Sequence, residues 1–540
     1  MGKMKHFRVV ILSALVLLLA WVTAGCGGNA SSNNLAGQNS EKPADTQANS
    51  GTPKTGGTLI VGTSADLTKL DLHSSTVLSD RIPLLHVQEM LVTIDEKMNI
   101  IPLLAEKWET SQDGKTVTFP LRKGVTFHNG KEMKSEDVKY SIERFMKVAA
   151  RKGEFSMVES IESKDDFTVV FHLKEPSGVF LASLANPYNP AVIMPKGIAE
   201  EQNDNIVTPI GTGPFQFVKW EQGKQLVLKR FDKYMPAAGE TSGFGGAKKP
   251  YVDEVVFKPI SEASVRLTAL ETGEIDLATD ILPKDVKRLS TSKDLVLSQE
   301  TSMNWGYLFF GFKKPPFDNL KMRQAVAYAI NKKEIVDVAT WGLGKVASSP
   351  VYPETEWYSD AHAADYQQDL EKAKQLLKEA GYNGEKITIS TAKAYDHHQK
   401  AALTIQSQLK KIGMNVDVEV LEWASFISER ANAGDYQLAV SHITPRPDPN
   451  QIYYAYTHSK SNFNGYHNPR MDELLEKGLT TVDQKQRKEI YNDVQKLLRE
   501  DLSFMSTYYY PVIEAHQAYL KGYIPWSAGY PRLWNVWLDK

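Results

Sequence analysis

The chain has 540 residues, of which 42% are hydrophobic and 24% are charged, a balance typical of a globular protein with two or three domains. Its 63 basic and 65 acidic side chains give a net charge of -2, so overall charge does not favour nucleic acid or an anionic surface as a partner. The single cysteine excludes an intramolecular disulfide and a cysteine cluster for zinc or iron–sulfur.

The N-terminal segment has the pattern of a secretory signal. A basic start precedes the apolar run Val9–Trp21, which is shorter than the roughly 20 residues that a membrane-spanning helix needs. Small residues then lead to Cys26, as in a bacterial lipobox, although Thr23 stands where that motif usually has a branched apolar residue. We expect residues 1–25 to be a lipoprotein signal peptide and the Cys26 thiol to carry the lipid that anchors the chain outside the membrane. The alternative is a signal cut elsewhere and an incidental cysteine.

The segment after the signal differs in composition from the rest of the chain. Residues 26–55 are rich in Gly, Ser, Asn, Thr and Ala and contain scarcely any large apolar side chain. Such a segment cannot bury enough surface to offset its ordering entropy, so we expect a flexible tether. From residue 56 to the end the apolar pattern is periodic, and no further run is long enough to span a membrane.

Three local patterns mark the first part of the periodic region. Thr58–Thr63 is a short apolar run and is predicted to form a buried strand. Asp113-Gly114 is a hairpin signal between residues 108–111 and the alternating residues 116–121. Ser135 is positioned to cap a helix whose first turn is acidic.

Alternating helices and strands between residues 315 and 450 indicate an α/β fold with a parallel sheet. The predicted elements are, in order, a helix over 318–332, a helix capped by Asp369 and ended at Gly381, a strand over 386–391, a helix over 401–412 closed by Gly413, a strand over 414–420, a helix over 424–433 and a strand over 436–441. In open parallel sheets, ligands bind beyond the carboxyl ends of the strands.

The loop that follows the last of these strands, residues 442–449, is therefore a candidate ligand site. Its three prolines stiffen the chain and cannot continue a strand ladder. Arg446 could pair with a carboxylate through two hydrogen bonds. Asp448 could accept from an ammonium or could cap a turn, and we include His442 and Thr444 in the same site.

Large aromatic side chains fall in or beside the predicted loops and strand ends. If several converge, they would form an apolar slot for a small amphiphilic ligand, although any one of them could instead pack in the core. The candidates are Trp305, Tyr307, Trp341, Trp357 and Trp423.

The sequence contains no motif typical of a hydrolase, a zinc protease or a nucleotide-binding enzyme, and the sole cysteine is assigned to the anchor. We therefore expect a binding protein that is not an enzyme and needs no cofactor and no metal. A metal site is the alternative that the histidines raise, but none of them forms a helical pair at i,i+4 spacing, so surface or capping positions are expected. These histidines are His397, His398, His442, His458 and His467.

Five stretches of the chain carry a recognisable family pattern. They are LAEKWETSQDGKTVTFPLRKGVTFHNGKEMKSEDVKYSIER (residues 104–144), GTGPFQFVKW (211–220), VRLTALETGEIDL (265–277), KKPPFDNLKMRQAVAYAINKKEI (313–335) and NPRMDELLEKG (468–478). Together they resemble the extracytoplasmic solute-binding proteins of peptide/nickel-type ABC importers, and the resemblance covers the whole chain after the tether.

The resemblance implies a two-lobed periplasmic-binding-protein-like fold with a hinge of two crossing segments. Lobe I would comprise residues 56–302 and 512–540, with an extra subdomain at about 82–205, and lobe II would comprise 303–511. It also implies a lipid-anchored, monomeric receptor that captures a peptide or peptide-like solute between its lobes. The receptor would deliver this solute to a membrane permease and its ATPase subunits.

The loop at 442–449 departs from the pattern of peptide-binding relatives. Pro445 stands where those relatives carry the Asp that pairs with a peptide's ammonium, and His442-Ile443 replaces a frequent Trp-Gly. The early element of residues 70–73 lacks the family's proline. These departures argue against recognition of a free N terminus and, with Arg446, favour an anionic or hydroxylated ligand such as an opine, a sugar conjugate or a modified peptide. A surface hydrolase, a nickel or metallophore receptor and a signal receptor stay open as alternatives.

Overall fold

The structure is a computed structural model that describes residues 51–540. The predicted signal peptide, the lipid-attachment residue Cys26 and most of the predicted tether lie outside the described residues. None of the helices in the described part combines the length and the apolar composition that crossing a membrane requires.

Strands and helices alternate along much of the described chain. The strands are β1 (Thr58–Thr63), β2 (Val92–Ile94), β3 (Ile100–Pro102), β4 (Glu109–Thr110), β5 (Thr116–Pro120), β6 (Val158–Asp165), β7 (Thr168–Leu173), β8 (Phe215–Glu221), β9 (Gln225–Arg230), β10 (Glu254–Pro259), β11 (Leu277–Ala278), β12 (Leu295–Phe310), β13 (Lys345–Val346), β14 (Ile387–Ala392), β15 (Val416–Leu421), β16 (Leu438–Ile443), β17 (Phe504–Gln517), β18 (Leu520–Lys521) and β19 (Trp537–Leu538).

The helices are α1 (Leu78–Leu84), α2 (Ser135–Val148), α3 (Phe180–Leu184), α4 (Ile198–Glu201), α5 (Ala263–Glu271), α6 (Val286–Leu289), α7 (Leu320–Ala329), α8 (Lys332–Ala339), α9 (Asp360–Ala363), α10 (Leu370–Glu379), α11 (Asp396–Lys411), α12 (Trp423–Ser425), α13 (Asn450–Thr457), α14 (Pro469–Thr480) and α15 (Gln484–Asp501). A π-helical turn at Phe426–Ala431 continues α12.

The largest sheet has 11 strands in the order β15-β14-β16-β12-β17-β11-β1-β10-β9-β8, with β13 paired to β17 outside this path. Strand β14 runs parallel to β15 and to β16, which confirms the parallel arrangement predicted for this region. Strand β16 then pairs antiparallel with β12, so the complete sheet is mixed. Strand β16 lies between β14 and β12, so the loop that follows β16 begins beside β12.

Two long strands run through the middle of this sheet. Strands β12 and β17 have 16 and 14 residues and pair antiparallel with each other. The second half of β12 also pairs with β16, whereas the second half of β17 also pairs with β11. The register between the two long strands is irregular between Thr301 and Trp305 and again before Tyr307. The long pair therefore joins two portions of the sheet, and its ladder is interrupted between them.

Apolar side chains at helical and strand spacing form the cores. In the C-terminal portion Ile405 and Leu409 of α11 are fully buried against the strand residues Ile389 and Val440. In the N-terminal portion a four-stranded sheet, β4-β5-β7-β6, packs against α2. The predicted hairpin at Asp113-Gly114 is confirmed as the turn between β4 and β5.

The start of helix α2 differs from the prediction. Its first residue is Ser135, but the capping interaction is made by Asp137, whose carboxylate accepts from the backbone N–H of Lys134 at 2.8 Å. The Ser135 side chain is buried, and its hydroxyl contacts the carbonyl of Asp165. The sequence signal marks the helix start correctly and assigns the cap to the wrong side chain.

Other element boundaries confirm or correct the predictions. Asp369 caps α10 by accepting from the backbone N–H of Lys372 at 2.9 Å. The helix predicted over 318–332 is confirmed as the shorter α7, and a second helix that was not predicted, α8, follows it, capped by Asn331, which accepts from the Glu334 N–H at 3.1 Å. The helix predicted over 401–412 begins earlier, at Asp396.

Candidate ligand-binding site

A cavity of about 280 Å³ lies between segments that precede β12 and segments that follow it. Its walls include Tyr188 from the N-terminal portion and residues of β12, β16 and the π-helical turn from the C-terminal portion. Small-molecule sites typically measure about 300–1,000 Å³, so this cavity has the size of a site for a small solute.

Strand alternation sets the floor of the cavity. Trp305, Tyr307 and Phe309 project from the same face of β12, and Tyr307 lies opposite Ser441 of β16 in the ladder. Tyr307 and Phe309 line the cavity. Trp305 does not, because its ring is fully buried and stacks on Phe504 with 5.5 Å between centroids. Trp305 therefore packs in the core, the alternative that the sequence left open for each aromatic, and its role in binding stays a prediction.

The loop of residues 442–449 supplies a fixed positive charge. Arg446 donates from Nη1 to the Thr444 hydroxyl at 2.6 Å and to the carbonyls of Thr444 and Pro445 at 3.2 and 2.9 Å. Its Cζ lies 5.5 Å from the ring centroid of Tyr188. Burial and the nearby charge of Arg151 lower the pKa of Arg446 to about 10, so it remains protonated at neutral pH.

Two further arginines line the same cavity. Arg81 is 6% exposed, donates from Nη1 to the Tyr188 carbonyl at 2.5 Å, and has its Cζ 5.8 Å from the Tyr188 ring centroid. Arg151 lies on the cavity wall with Glu154 at 4.0 Å. No aspartate or glutamate is among the described residues that line the cavity. The site is therefore rich in cations and lacks an acidic partner.

Asp448 does not line the cavity, and its contacts fit the turn cap that the sequence offered as the alternative to a ligand residue. It is 2% exposed, and its two carboxylate oxygens accept from Arg487 of α15 at 2.6 and 2.8 Å. It also accepts from the backbone N–H of Asn450 at 2.9 Å at the start of α13. These contacts occupy the carboxylate, so Asp448 acts as a structural anchor of the loop.

Of the other three tryptophans singled out in the sequence, one lies on the cavity wall and two lie outside it. Trp423 lines the cavity, as Tyr307, His442, Thr444 and Arg446 do. Trp341 is 56% exposed, lies under the ammonium of Lys400 and is not part of the cavity, and its role in binding stays a prediction. Trp357 donates from its indole N–H to the Pro447 carbonyl at 3.1 Å and so supports the loop from outside the cavity.

Three histidines form a cluster at the cavity wall, which His442 lines. His398 and His442 share a hydrogen bond of 2.8 Å between Nε2 and Nδ1, and His397 Nδ1 lies 2.8 Å from the Tyr508 hydroxyl. Burial lowers the pKa of His442 to about 4 and that of His397 to about 3, so both are neutral at pH 7. His398 is buried, contrary to the surface position expected for it. Within residues 51–540 no group of His, Cys, Asp or Glu is arranged to hold a metal ion.

Sequence reasoning missed Arg81, Arg151 and Tyr188. They lie more than 200 residues before the loop that they face, and none of them belongs to a local motif. Only the fold brings them to Arg446. That five of the predicted residues lie on the cavity wall is an observation of position, and their role in binding stays a prediction.

The fold is that of a two-lobed periplasmic binding protein. The structure resembles the periplasmic binding protein DppA from Helicobacter pylori in complex with peptide STSA, with a TM-score of 0.76, 30% identity, and coverage of 90% of this chain and 99% of that one. It likewise resembles AgaA in complex with agropinic acid from A. tumefaciens R10, with a TM-score of 0.75, 30% identity, and the same coverage of each chain.

The sequence comparison names the family. Residues 99–464 match bacterial extracellular solute-binding proteins, family 5, and the chain belongs to this family of binding proteins. It is 30% identical over 479 residues to the dipeptide-binding protein of Escherichia coli (strain K12), covering 82% of this chain and 86% of that relative. The family and the two-lobed α/β fold expected from the sequence are thereby confirmed.

Proposed function

We propose that the protein is the solute-binding component of an ABC importer, which captures a peptide or peptide-like solute and passes it unmodified to a permease. One observation carries the proposal: Tyr188, which precedes β12 in the sequence, and Arg446, which follows it, line the same cavity, with the Arg446 Cζ 5.5 Å from the Tyr188 ring centroid. A solute in that cavity would contact both portions of the chain. Its family, whose members are binding proteins, supports this assignment over that of an enzyme.

The proposed mechanism is closure of two lobes around the solute. We assign residues 56–302 and 512–540 to one lobe, with the subdomain at about 82–205, and residues 303–511 to the other. The interruption of the β12–β17 register between Thr301 and Trp305 supports a hinge at the first crossing. Contacts to both lobes would favour the closed arrangement and so form the surface that docks on the permease.

The proposal is tested by identifying what the protein carries. Native mass spectrometry of the full chain, purified in detergent, should show a bound non-covalent small solute that leaves on denaturation with its mass unchanged. Small-angle scattering should then show a smaller radius of gyration with that solute than without it. An identical shape in both states, together with conversion of the solute to a product, would contradict the proposal and favour the hydrolase alternative.

We further propose that a lipid on Cys26 anchors the protein to the outer face of the cell membrane. Cys26→Ser removes the only thiol, so the variant should move from the membrane fraction to the soluble fraction while its solute affinity stays unchanged. Ser31→Ala is the matched control and should stay with the membrane. A Cys26→Ser protein that still sediments with the membrane would contradict the anchor.

A non-peptide ligand is the second candidate, and the loop sequence favours it. Pro445 provides no carboxylate for a peptide ammonium, and a solved structure with this fold holds agropinic acid. An opine or a sugar conjugate fits the arginines of the cavity. A nickel complex would bring its own ligands, and elemental analysis of the purified protein would detect it.

A further inference from the structure

Most buried cations of the described chain are neutralised by a carboxylate of the same chain. Five such ion pairs have a buried cation, and in four of them the N···O distance lies between 2.6 and 2.8 Å. These four are Arg144–Asp71, Lys248–Glu89, Lys332–Asp365 and Arg487–Asp448, and the fifth is Arg532–Glu96. A buried charge without a partner is costly, so this pairing is the expected arrangement.

A second group of buried arginines is satisfied by backbone carbonyls. Arg266 donates from Nε to the Thr279 carbonyl at 2.9 Å and from Nη2 to the Asp280 carbonyl at 2.8 Å, and its Nη1 contacts Ile260. All three nitrogens of this guanidinium therefore have acceptors, and no site for an external ligand remains.

Arg81, which is buried, and Arg446, which is half-buried, belong to neither group. Among residues 51–540, Arg81 donates only to the Tyr188 carbonyl, and its buried Nε has no acceptor. Arg446 makes its hydrogen bonds through Nη1 alone, which leaves Nε and Nη2 without an acceptor in the described chain. Neither guanidinium forms an ion pair there, and both lie against the same Tyr188 ring.

A third cation completes the arrangement. Arg151 lines the cavity and its charge lowers the pKa of Arg446, whereas Glu154, which neighbours Arg151 at 4.0 Å and is not part of the wall, acts on that pKa in the opposite direction. His442 is neutral because burial lowers its pKa to about 4, so it adds no charge at pH 7. An ammonium group in this cavity would meet three cations and no carboxylate on the wall. Carboxylates of a solute would instead accept hydrogen bonds from the arginine nitrogens that have no acceptor in the described chain.

From this arrangement we infer that the cavity selects acidic, peptide-like solutes that carry at least two carboxylates, and that it does not require a free ammonium. The inference rests on the proposed function, because it specifies the solute that the binding protein takes. Arg446 and Arg81 are the donors to two of the carboxylates, and Arg151 adds attraction at the wall.

Calorimetric titration of the full chain with four probes tests the inference. N-acetyl-Glu-Glu is acidic and has no ammonium, N-acetyl-Gln-Gln-amide is its neutral analogue, and Ala-Ala has a free ammonium and one carboxylate. N-acetyl-phosphoserine amide offers phosphate in place of carboxylates. We expect N-acetyl-Glu-Glu to bind at least about tenfold more tightly than each of the other three, because each charge-assisted pair favours the acidic probe.

Variants assign the effect to the arginines. Arg446→Gln and Arg81→Gln should each weaken N-acetyl-Glu-Glu binding by about tenfold or more. Arg288→Gln removes an arginine that is exposed and paired with Glu271, so it should leave the affinity unchanged. Circular dichroism of each variant should match that of the unaltered protein. If Arg446→Gln loses its fold, Arg446→Lys is used in its place. Arg446→Lys should bind N-acetyl-Glu-Glu more weakly than the unaltered protein does, because a lysine cannot form a bidentate pair.

The contrary results separate this inference from the proposed function. Tighter binding of Ala-Ala than of N-acetyl-Glu-Glu would overturn the acidic selectivity and leave peptide capture standing. Tighter binding of the phosphoserine probe would overturn the assignment to carboxylates. If N-acetyl-Glu-Glu fails to bind at millimolar concentration, the inference is wrong, and the mass of a co-purified solute still decides the proposed function.

Discussion

Arg446 belongs to the loop of residues 442–449 and Arg487 contacts it, yet the charges of the two side chains are balanced in different ways. Arg487 holds Asp448 through two hydrogen bonds of 2.6 and 2.8 Å, and both side chains are buried. Arg446 has only carbonyl and hydroxyl acceptors and faces a cavity. A paired buried charge holds the fold together, whereas an incompletely paired one beside a cavity is available to a ligand.

Breaking the paired charge should have the largest effect on stability. Asp448→Asn leaves Arg487 buried without a counterion, so we expect the free energy of unfolding to fall by about 3–5 kcal/mol. Urea denaturation followed by tryptophan fluorescence measures the change. The exposed Asp493→Asn, which removes a surface pair with Lys496, should change the same quantity by about 0.5 kcal/mol or less. Equal effects of the two variants would contradict a structural role for the Asp448 pair.

A buried acid that forms no ion pair among residues 51–540 offers a third case, in which protonation removes the charge. Glu514 of β17 is 3% exposed and accepts from the Tyr523 hydroxyl at 2.6 Å. Burial, with a smaller contribution from Asp280, raises its pKa from an ordinary value of 4.5 to about 7. Tyr523 and Arg532 act in the opposite direction, and the charge of Glu300 adds to the rise.

The raised pKa makes stability depend on pH in a definite direction. The unfolded chain loses this proton at lower pH than the folded chain does, so the contribution of Glu514 to stability is full below about pH 4.5 and is lost as the pH rises to about 7. Glu514→Gln imitates the protonated form. It should therefore be more stable than the unaltered protein by about 3 kcal/mol at pH 8 and nearly equal to it at pH 4.5.

Urea denaturation of both proteins across this range measures the difference. The buried histidines, whose lowered pKa values produce the opposite pH dependence, are common to both chains and cancel. A constant difference between the two proteins at all pH values would contradict the assignment of the titration to Glu514.

Removing the incompletely paired charge should have the smallest effect on stability. Arg446→Met deletes a cation that lacks a counterion in the described chain, so the free energy of unfolding of the ligand-free protein should be unchanged or higher by about 1 kcal/mol. Its solute affinity should nevertheless fall. Denaturation and calorimetry on the same sample measure both quantities. A large loss of stability would show that Arg446 supports the fold in the manner of Arg487.

The sequence identified the loop of this site but not its surroundings. Its three prolines and its place after a predicted strand are local signals, and they located Arg446 on the cavity wall. The ion pair of Asp448 was not predicted because its partner Arg487 lies 39 residues later, on a helix with no motif that indicates the pair. Arg81 and Tyr188 were missed for the same reason at greater sequence distance.

The fold was predicted correctly where the sequence contains residues that cap or end an element. Asp369 and Gly381 mark the two ends of one helix correctly. Asp369 caps its start, and Gly381 adopts the left-handed conformation with φ 78°. Helix α11 was started too late, because its first turn lacks a capping side chain and contains His397 and His398. The mixed order of the central sheet depends on pairings between distant strands, which local periodicity does not specify.

The indole hydrogen bond from Trp357 to the Pro447 carbonyl has a consequence for the rates of binding. Together with the Asp448 anchor, it fixes the loop before any solute arrives, so little ordering entropy is lost in the encounter. Related solutes should therefore associate at similar speeds, and differences among their affinities should appear in how long each one stays bound.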